Sequence, residues 1–372
     1  KKKYQKIYFR ILKSSLVMTD KVRLSASRVG TAKKCSWVYW SKYVNKIPDS
    51  SNTGASRGSV CHNVFEYLGK SRHKKHYDSI LEKGSISGSE AVSKLVKIQA
   101  SQQDPPVDSD DELDMIDEFI VNGLNYDFYG NDKEQSFKSF SEQTFELEIN
   151  EKGKSYYIYG FIDKLFLYDK GKRAVVRDFK TSKKIYTGSE ITDNLQNLMY
   201  CLAVKKLYPK CKEIRTEFLF LKFDMSEDIL GEEGEGVLRM DVISEEELEG
   251  FEYHLTDIQS YLDNFDEDCA TSNFAADQPY ATDGTFSGPI SCGYAKYPGH
   301  LKKDGSLMWH CNYKFPFDYW ILKDADGKII QSVKDGEEYK LVANESEGEV
   351  VQKLHYEGCP KFNAPKDSGL DL

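Results

Sequence analysis

The chain has 372 residues, 40% of them hydrophobic and 30% charged, enough for a full core in one large domain with insertions or two smaller ones. Its formal charge of −9 excludes bulk attraction to nucleic acid, so a nucleic-acid substrate needs basic residues gathered along one groove. No apolar run approaches the roughly 20 residues of a membrane span, and eight scattered cysteines without a Cys-x-x-Cys pair indicate a reduced, cytoplasmic protein.

Residues 1–17 are basic and partly apolar, but Arg10 and Lys13 interrupt any signal-like core. Met18-Thr19-Asp20 reads as a natural start, which makes 1–17 an upstream segment and 1–23 an N-terminal extension. A helix is expected over 28–43, a Ser/Asn/Gly loop over 48–56, and a second helix over 58–70 with Val60, Val64 and Leu68 at helical spacing. Residues 71–140 read as a helical insertion, within which 104–118 is acidic, contains Pro105-Pro106 and is expected to be a mobile surface segment. A strand meander follows at 144–149, 156–167 and 174–179, its last turn at Asp169-Lys170-Gly171-Lys172. Residues 191–207 predict an amphipathic helix stopped near Pro209, 214–223 a strand, and 237–243 its neighbour. Ser244 with Glu247 forms a capping box that opens a helix reaching about residue 264. A hairpin over 319–333, turning at Asp324-Ala325-Asp326-Gly327, precedes a polar tail expected to be disordered.

The chemistry gathers on the meander. Asp178 and Lys180 are two apart on one strand and project from the same face, while Asp163 ends the neighbouring strand. Two carboxylates and a lysine suffice to hold a divalent cation and place an ammonium beside the water it activates. His62 and Glu66 share one face of the second helix at i,i+4, and Gln196 and Tyr200 repeat that spacing later. Each pair alone reads more readily as a solvated helix face. Basic residues for a groove are Lys70, Arg72, His73, Lys74, Lys75 and His76 after the His62 helix, with Lys183 and Lys184 beyond Lys180. The stripe of Trp37, Tyr39, Trp40 and Tyr43 reads as core.

Five stretches in order resemble the RecB/AddB-type branch of the PD-(D/E)XK nucleases, which includes CRISPR-adaptation nucleases and phage exonucleases. They are Leu24-Ser25-Ala26-Ser27-Arg28 with Cys35, the run from Arg57 to His62 with Glu66, Gly160-Phe161-Ile162-Asp163, Val176-Arg177-Asp178-Phe179-Lys180-Thr181, and Gln196 with Tyr200. The resemblance implies that His62, Asp163, Asp178 and the Phe179 carbonyl bind Mg²⁺ or Mn²⁺, and that Lys180 polarises the attacking water. It further implies that Gln196 and Tyr200 contact DNA or hold Lys180, and that Glu66 fixes the His62 ring.

Many relatives of that branch carry an iron–sulfur cluster on one early and three late cysteines. Here Cys35 occupies the early position, but Lys314 stands where a partner of Cys311 is wanted, and Cys292 is the other close thiol. The chain is therefore expected to lack the cluster and to close this region by apolar packing, with a zinc site from Cys292, Cys311 and His300 or His310 as the alternative. The fold expected is α/β: a central mixed sheet with flanking helices, restriction-endonuclease-like, over 24–320, with a helical N-terminal region and a small C-terminal appendage over 321–372. The expected function is a metal-dependent DNA exonuclease in recombination, repair or phage DNA metabolism, in a bacterial or phage-infected cell. The alternatives are an endonuclease, a CRISPR-adaptation nuclease, an RNA-directed enzyme or a non-catalytic DNA-binding subunit. No Gly-x-x-x-x-Gly-Lys-Ser/Thr stretch occurs, so a helicase or recombination protein would be a separate partner.

Overall fold

The computed structural model describes residues 21–131, 134–225, 234–282 and 288–363. Most of the expected N-terminal extension and the last part of the polar tail lie outside them. Helices α1 (Ala26–Lys34), α2 (Thr53–Leu68), α3 (Lys74–Lys83), α4 (Glu90–Gln102) and α5 (Asp110–Asn125) precede a five-stranded sheet. Its strands are β1 (Lys138–Glu151), β2 (Lys154–Tyr168), β3 (Arg173–Lys180), β4 (Glu213–Phe220) and β5 (Val237–Arg239), in that spatial order. Only β3 and β4 run parallel, because helix α6 (Leu195–Leu207) crosses between them; the other pairs are antiparallel. Helix α7 (Glu245–Asp263) opens on the expected Ser244–Glu247 capping box.

Helices cover both faces of the sheet, and the central strands become apolar on both sides: Ile162 and every residue from Leu165 to Tyr168 of β2 are buried. One core packs α1, α6 and α7 against Tyr156, Ile158, Ile162 and Val176. The other packs α2 to α5 against Phe179, Leu219 and Leu221. Strand alternation turns Phe179 towards α2, where its ring stacks on Phe65 at 4.1 Å, and turns Asp178 and Lys180 towards α6. The β1–β2 hairpin closes on Lys152-Gly153, both with positive φ (51° and 76°), the two-residue turn whose twist matches its strands. Gly160 is required for another reason: it pairs with Phe145, whose ring would lie 2.5 Å from an added Cβ.

Three expectations about local structure are corrected. Helix α2 begins at Thr53 rather than 58, because Asn52 accepts from the Ala55 amide and caps it inside the expected loop. The acidic segment is not a mobile stretch throughout: Ser109 caps α5, and Asp110, Asp111 and Glu112 fill its first turn, where the helix dipole favours them. Glu112 also pairs with buried Arg57 of α2 at 2.8 Å, which fixes that turn to the domain. The C-terminal hairpin, β6 (Phe317–Lys323) and β7 (Ile329–Lys334), gains a third strand, β8 (Val350–Tyr356), on the free edge of β6. That strand escapes notice because Tyr356 alone of its residues is buried, so it carries little apolar alternation. The small sheet closes on the N-terminal region through Trp37, Ile47, Tyr313 and Tyr356, with the Trp37 indole donating to the Tyr356 hydroxyl at 2.7 Å.

Candidate active site

The strands bring Asp163 and Asp178 side by side, and α2 and α6 close over them from either side. Asp163 Oδ2 accepts from the Phe179 amide at 2.8 Å, which fixes β2 to the end of β3 where the regular ladder has stopped. Its Oδ1 lies 3.2 Å from His62 Nδ1, while His62 Nε2 lies 3.1 Å from the Phe179 carbonyl. Burial alone would lower the His62 pKa, but the charge and hydrogen bond of Asp163 outweigh it and hold the imidazolium up to about 9.

Asp178 is almost fully buried. Its Oδ1 accepts from Gln196 Nε2 at 2.7 Å and from the Tyr200 hydroxyl at 2.8 Å. Its Oδ2 has the Lys180 ammonium 2.6 Å away as an ion-pair partner but no hydrogen bond of good geometry. Burial raises the Asp178 pKa, Lys180 opposes that and Asp163 reinforces it. Oδ2 is already paired with an ammonium, so a metal ion bound at Asp178 would share the carboxylate with Lys180. Lys180 in turn donates to Gln196 Oε1 at 2.8 Å, and although burial opposes its charge, Asp178 holds its pKa above the usual lysine value.

Two residues here have no signal in the sequence pattern. Glu142 offers a ligand atom that lies with those of His62 and Asp163 inside 4.8 Å. It sits in β1 with φ 52°, and the β1–β2 pairing lapses at that point: Ser141 pairs with Lys164 and Gln143 with Ile162, but Glu142 and Asp163 are skipped. A non-glycine residue in the left-handed region costs about 1–2 kcal/mol, and such strain collects at functional sites. Burial pushes the Glu142 carboxyl up to about 7, and the Asp163 charge adds to it. Tyr186 is the second, its phenol lying beside the Lys180 ammonium. Only the strand register and the fold of the 181–194 loop bring these two in.

The remaining expected residues are more scattered. Glu66 does not touch His62; it pairs with Lys70 at 2.9 Å, leaving the ring to Asp163 and Phe179. Arg72, Lys74 and Lys75 are exposed after α2, Arg72 meeting His73 and Lys74 lying over the Tyr129 ring. Lys183 and Lys184 are exposed on the loop leaving β3, with Lys184 3.8 Å from Glu190.

The cysteines gather at a second place. Cys359, on the turn after β8, lies near Cys35, Cys292 and Cys311. The Cys311 amide donates to the Cys292 carbonyl at 3.2 Å, and the Cys359 amide to the carbonyl of Lys314, whose own amide donates to Cys311. Burial pushes the Cys311 thiol up to about 12 and Cys359 up to about 11, and the charges of Cys35 and Cys292 bear on both. The fourth thiol of this group arrives on the turn after β8, the strand that the sequence did not reveal. Among the described residues, neither His300 nor His310 forms with these thiols a group of three ligand atoms within 4.8 Å. Among the described residues no three of these sulfurs approach within 4.8 Å of one another. A single tetrahedral zinc, with bonds of about 2.3 Å, needs closer spacing, whereas a multi-iron cluster spreads its thiolates further.

No helix among the described residues is long and apolar enough to cross a membrane. No curated protein matches the chain. Among solved structures, SSO0001 aligns at 17% identity over 57% of this chain and 77% of that one, with a TM-score of 0.25. The protein VC1899 from Vibrio cholerae aligns at 10% identity over 68% and 59%, with a TM-score of 0.22. Superpositions that loose say nothing of function. The family model of the PD-(D/E)XK nuclease superfamily, in contrast, matches residues 23–294 and so takes in α1, the whole five-stranded sheet and α7. This chain belongs to the PD-(D/E)XK nuclease superfamily.

Proposed function

We propose that, within the metal-dependent cleavage of nucleic acid that membership implies, the protein is a Mg²⁺- or Mn²⁺-dependent deoxyribonuclease, an exonuclease of the RecB/AddB type acting in recombination, repair or phage DNA metabolism. The observation that supports this most is that His62, Glu142 and Asp163 offer ligand atoms within 4.8 Å of one another, beside the buried Asp178–Lys180 ion pair. A carboxylate-rich site with one imidazole suits a hard divalent cation that keeps several waters for substrate to displace. In this reading Asp163, Asp178, His62, Glu142 and the Phe179 carbonyl hold the ion, which when bound acidifies its water and neutralises charge on the phosphate. To hold an ion His62 would have to give up its proton, since an imidazolium has no lone pair to offer, and the ion would then supply in the proton's place the positive charge that faces Asp163 and Glu142. Lys180 adds charge where hydroxide forms, and Gln196 and Tyr200 act as positioning residues that hold Asp178 and Lys180 in place. Digestion of end-labelled single- and double-stranded DNA tests the reading: mononucleotides released from the first time point mark an exonuclease, and internal fragments an endonuclease.

A second element of the proposal rests on the cysteines. Cys35, Cys292, Cys311 and Cys359 would hold an iron–sulfur cluster that ties the N-terminal helix to the C-terminal sheet, with the Lys34 and Lys314 ammonium groups offsetting its negative charge. Protein purified without oxygen is expected to be brown and to contain iron and acid-labile sulfide, both lost in Cys359→Ser. Colourless protein binding one zinc instead would contradict it.

A further inference from the structure

Cys292 and Cys311 stand at the base of an arm, residues 293–310, that belongs to neither sheet. Its two legs cross at the Gly293–His310 bridge, where a Cβ on Gly293 would lie 2.3 Å from the Trp309 carbonyl oxygen. Further out it forms a small hairpin, in which Lys302 donates to the Ser306 carbonyl at 2.8 Å and Met308 to His300 at 2.7 Å. This arm displays Tyr294 (66% exposed), Tyr297 (57%), Leu301 (55%), Leu307 (68%) and Trp309 (55%). So dense a run of exposed large apolar groups marks a contact surface. Its charge runs against that of the whole molecule: Lys296, Lys302 and Lys303 face one carboxylate, Asp304, in a chain of net charge −9.

The arm also stands near the loop that leaves the catalytic strand. Lys34 feels the charges of Cys311 and Cys292 at the arm's base and also that of Glu190. Glu190 lies 3.8 Å from Lys184, and Lys33 lies 3.6 Å from Asp193. The end of α1 thus pairs with the loop following Lys180 through Lys33 and Asp193, and the charges at the base of the arm reach the neighbouring Lys34.

We propose that the 293–310 arm is a binding surface for single-stranded nucleic acid, on which unpaired bases stack against Tyr294, Tyr297 and Trp309 while Lys296, Lys302 and Lys303 follow the backbone. Every base has a π-face, so aromatic rings with interspersed cations bind single strands with little sequence preference. A duplex hides those faces and gains only the electrostatic part. A protein partner would also welcome the apolar groups, but the local positive charge favours a polyanion. The proposal rests on the nuclease reading for the identity of the ligand and gives it a preference for single-stranded ends.

The test uses the full chain in EDTA, with fluorescence anisotropy of a labelled oligo-dT and of a blunt duplex as probes. Tyr294→Ala with Tyr297→Ala is expected to weaken oligo-dT binding about tenfold or more and to leave duplex affinity and the thermal midpoint unchanged. Lys302→Ala with Lys303→Ala should flatten the dependence of oligo-dT affinity on salt. Trp309 fluorescence, isolated by comparison with Trp309→Phe, should be quenched by oligo-dT. Unchanged oligo-dT affinity in the tyrosine variant, or equal losses on duplex and single strand, would overturn the proposal. Because binding is read without turnover, failure of the wild type to hydrolyse bis(p-nitrophenyl) phosphate with Mn²⁺ would overturn the nuclease reading alone.

Discussion

Asp178→Ala and Lys180→Ala are each expected to abolish phosphodiester hydrolysis, a fall on the order of 10²–10³ or more, while the protein stays folded. Asp178 is the hub of the site: it accepts from Gln196 and Tyr200 on one oxygen and faces Lys180 on the other. Its removal takes away a carboxylate for the cation and the negative charge that keeps Lys180 ionised against burial. Lys180→Ala leaves the carboxylates in place and removes positive charge from where hydroxide forms. The two variants should therefore differ in metal binding although both are inactive, with Lys180→Ala retaining Mn²⁺ and Asp178→Ala losing affinity. Hydrolysis rates beside circular dichroism and urea midpoints check this. Normal turnover by either folded variant would remove the site from consideration.

The largest effect expected on stability comes from the other face of the same strand. Arg177, immediately before Asp178, is 3% exposed and donates through Nε and Nη2 to Glu217 Oε2 at 3.1 and 2.8 Å. Glu217 is its partner across the parallel β3–β4 ladder and also accepts from Arg239. Glu217→Ala leaves a buried guanidinium without a counter-charge, held by the Tyr126 and Asp127 carbonyls on Nη1 and by the faces of the Tyr126 and Phe166 rings. Removing one partner of a buried pair costs about 3–5 kcal/mol, because the stranded charge remains in the interior. The urea midpoint should fall accordingly, and Glu217→Gln, which keeps an acceptor, should cost less. A change within about 0.5 kcal/mol, as at ordinary surface positions, would show that water reaches Arg177 readily.

What could be seen in the sequence followed from local rules. Asp178 and Lys180 are two apart on an apolar strand, and His62 and Glu66, like Gln196 and Tyr200, keep i,i+4 spacing; such periodicities survive translation into structure. The parts that stayed hidden depend on non-local pairing. Glu142 becomes a site residue only because β1 lies beside β2 in a register that sets it opposite Asp163, with a local reversal of φ that no composition rule signals. Glu66 kept its expected place on the helix but turned to Lys70, since side-chain direction is settled by whichever partner is nearer. Cys359 could not be counted with Cys311 because the hairpin and β8 intervene, and β8 is an edge strand with mostly exposed side chains. Acidic composition suggested a mobile segment at 104–118, but from Asp110 on a Ser109 cap and a buried Arg57 partner make a helix instead.

The central claim is that this cleft hydrolyses DNA by way of a divalent cation held by its carboxylates. The most direct measurement is the initial rate of release from end-labelled DNA as Mg²⁺ is titrated in, with Ca²⁺ and EDTA in parallel reactions. The account predicts a rate that saturates with Mg²⁺, is supported by Mn²⁺, and is almost absent with Ca²⁺, whose looser coordination places the water less tightly. Full activity in EDTA would contradict it.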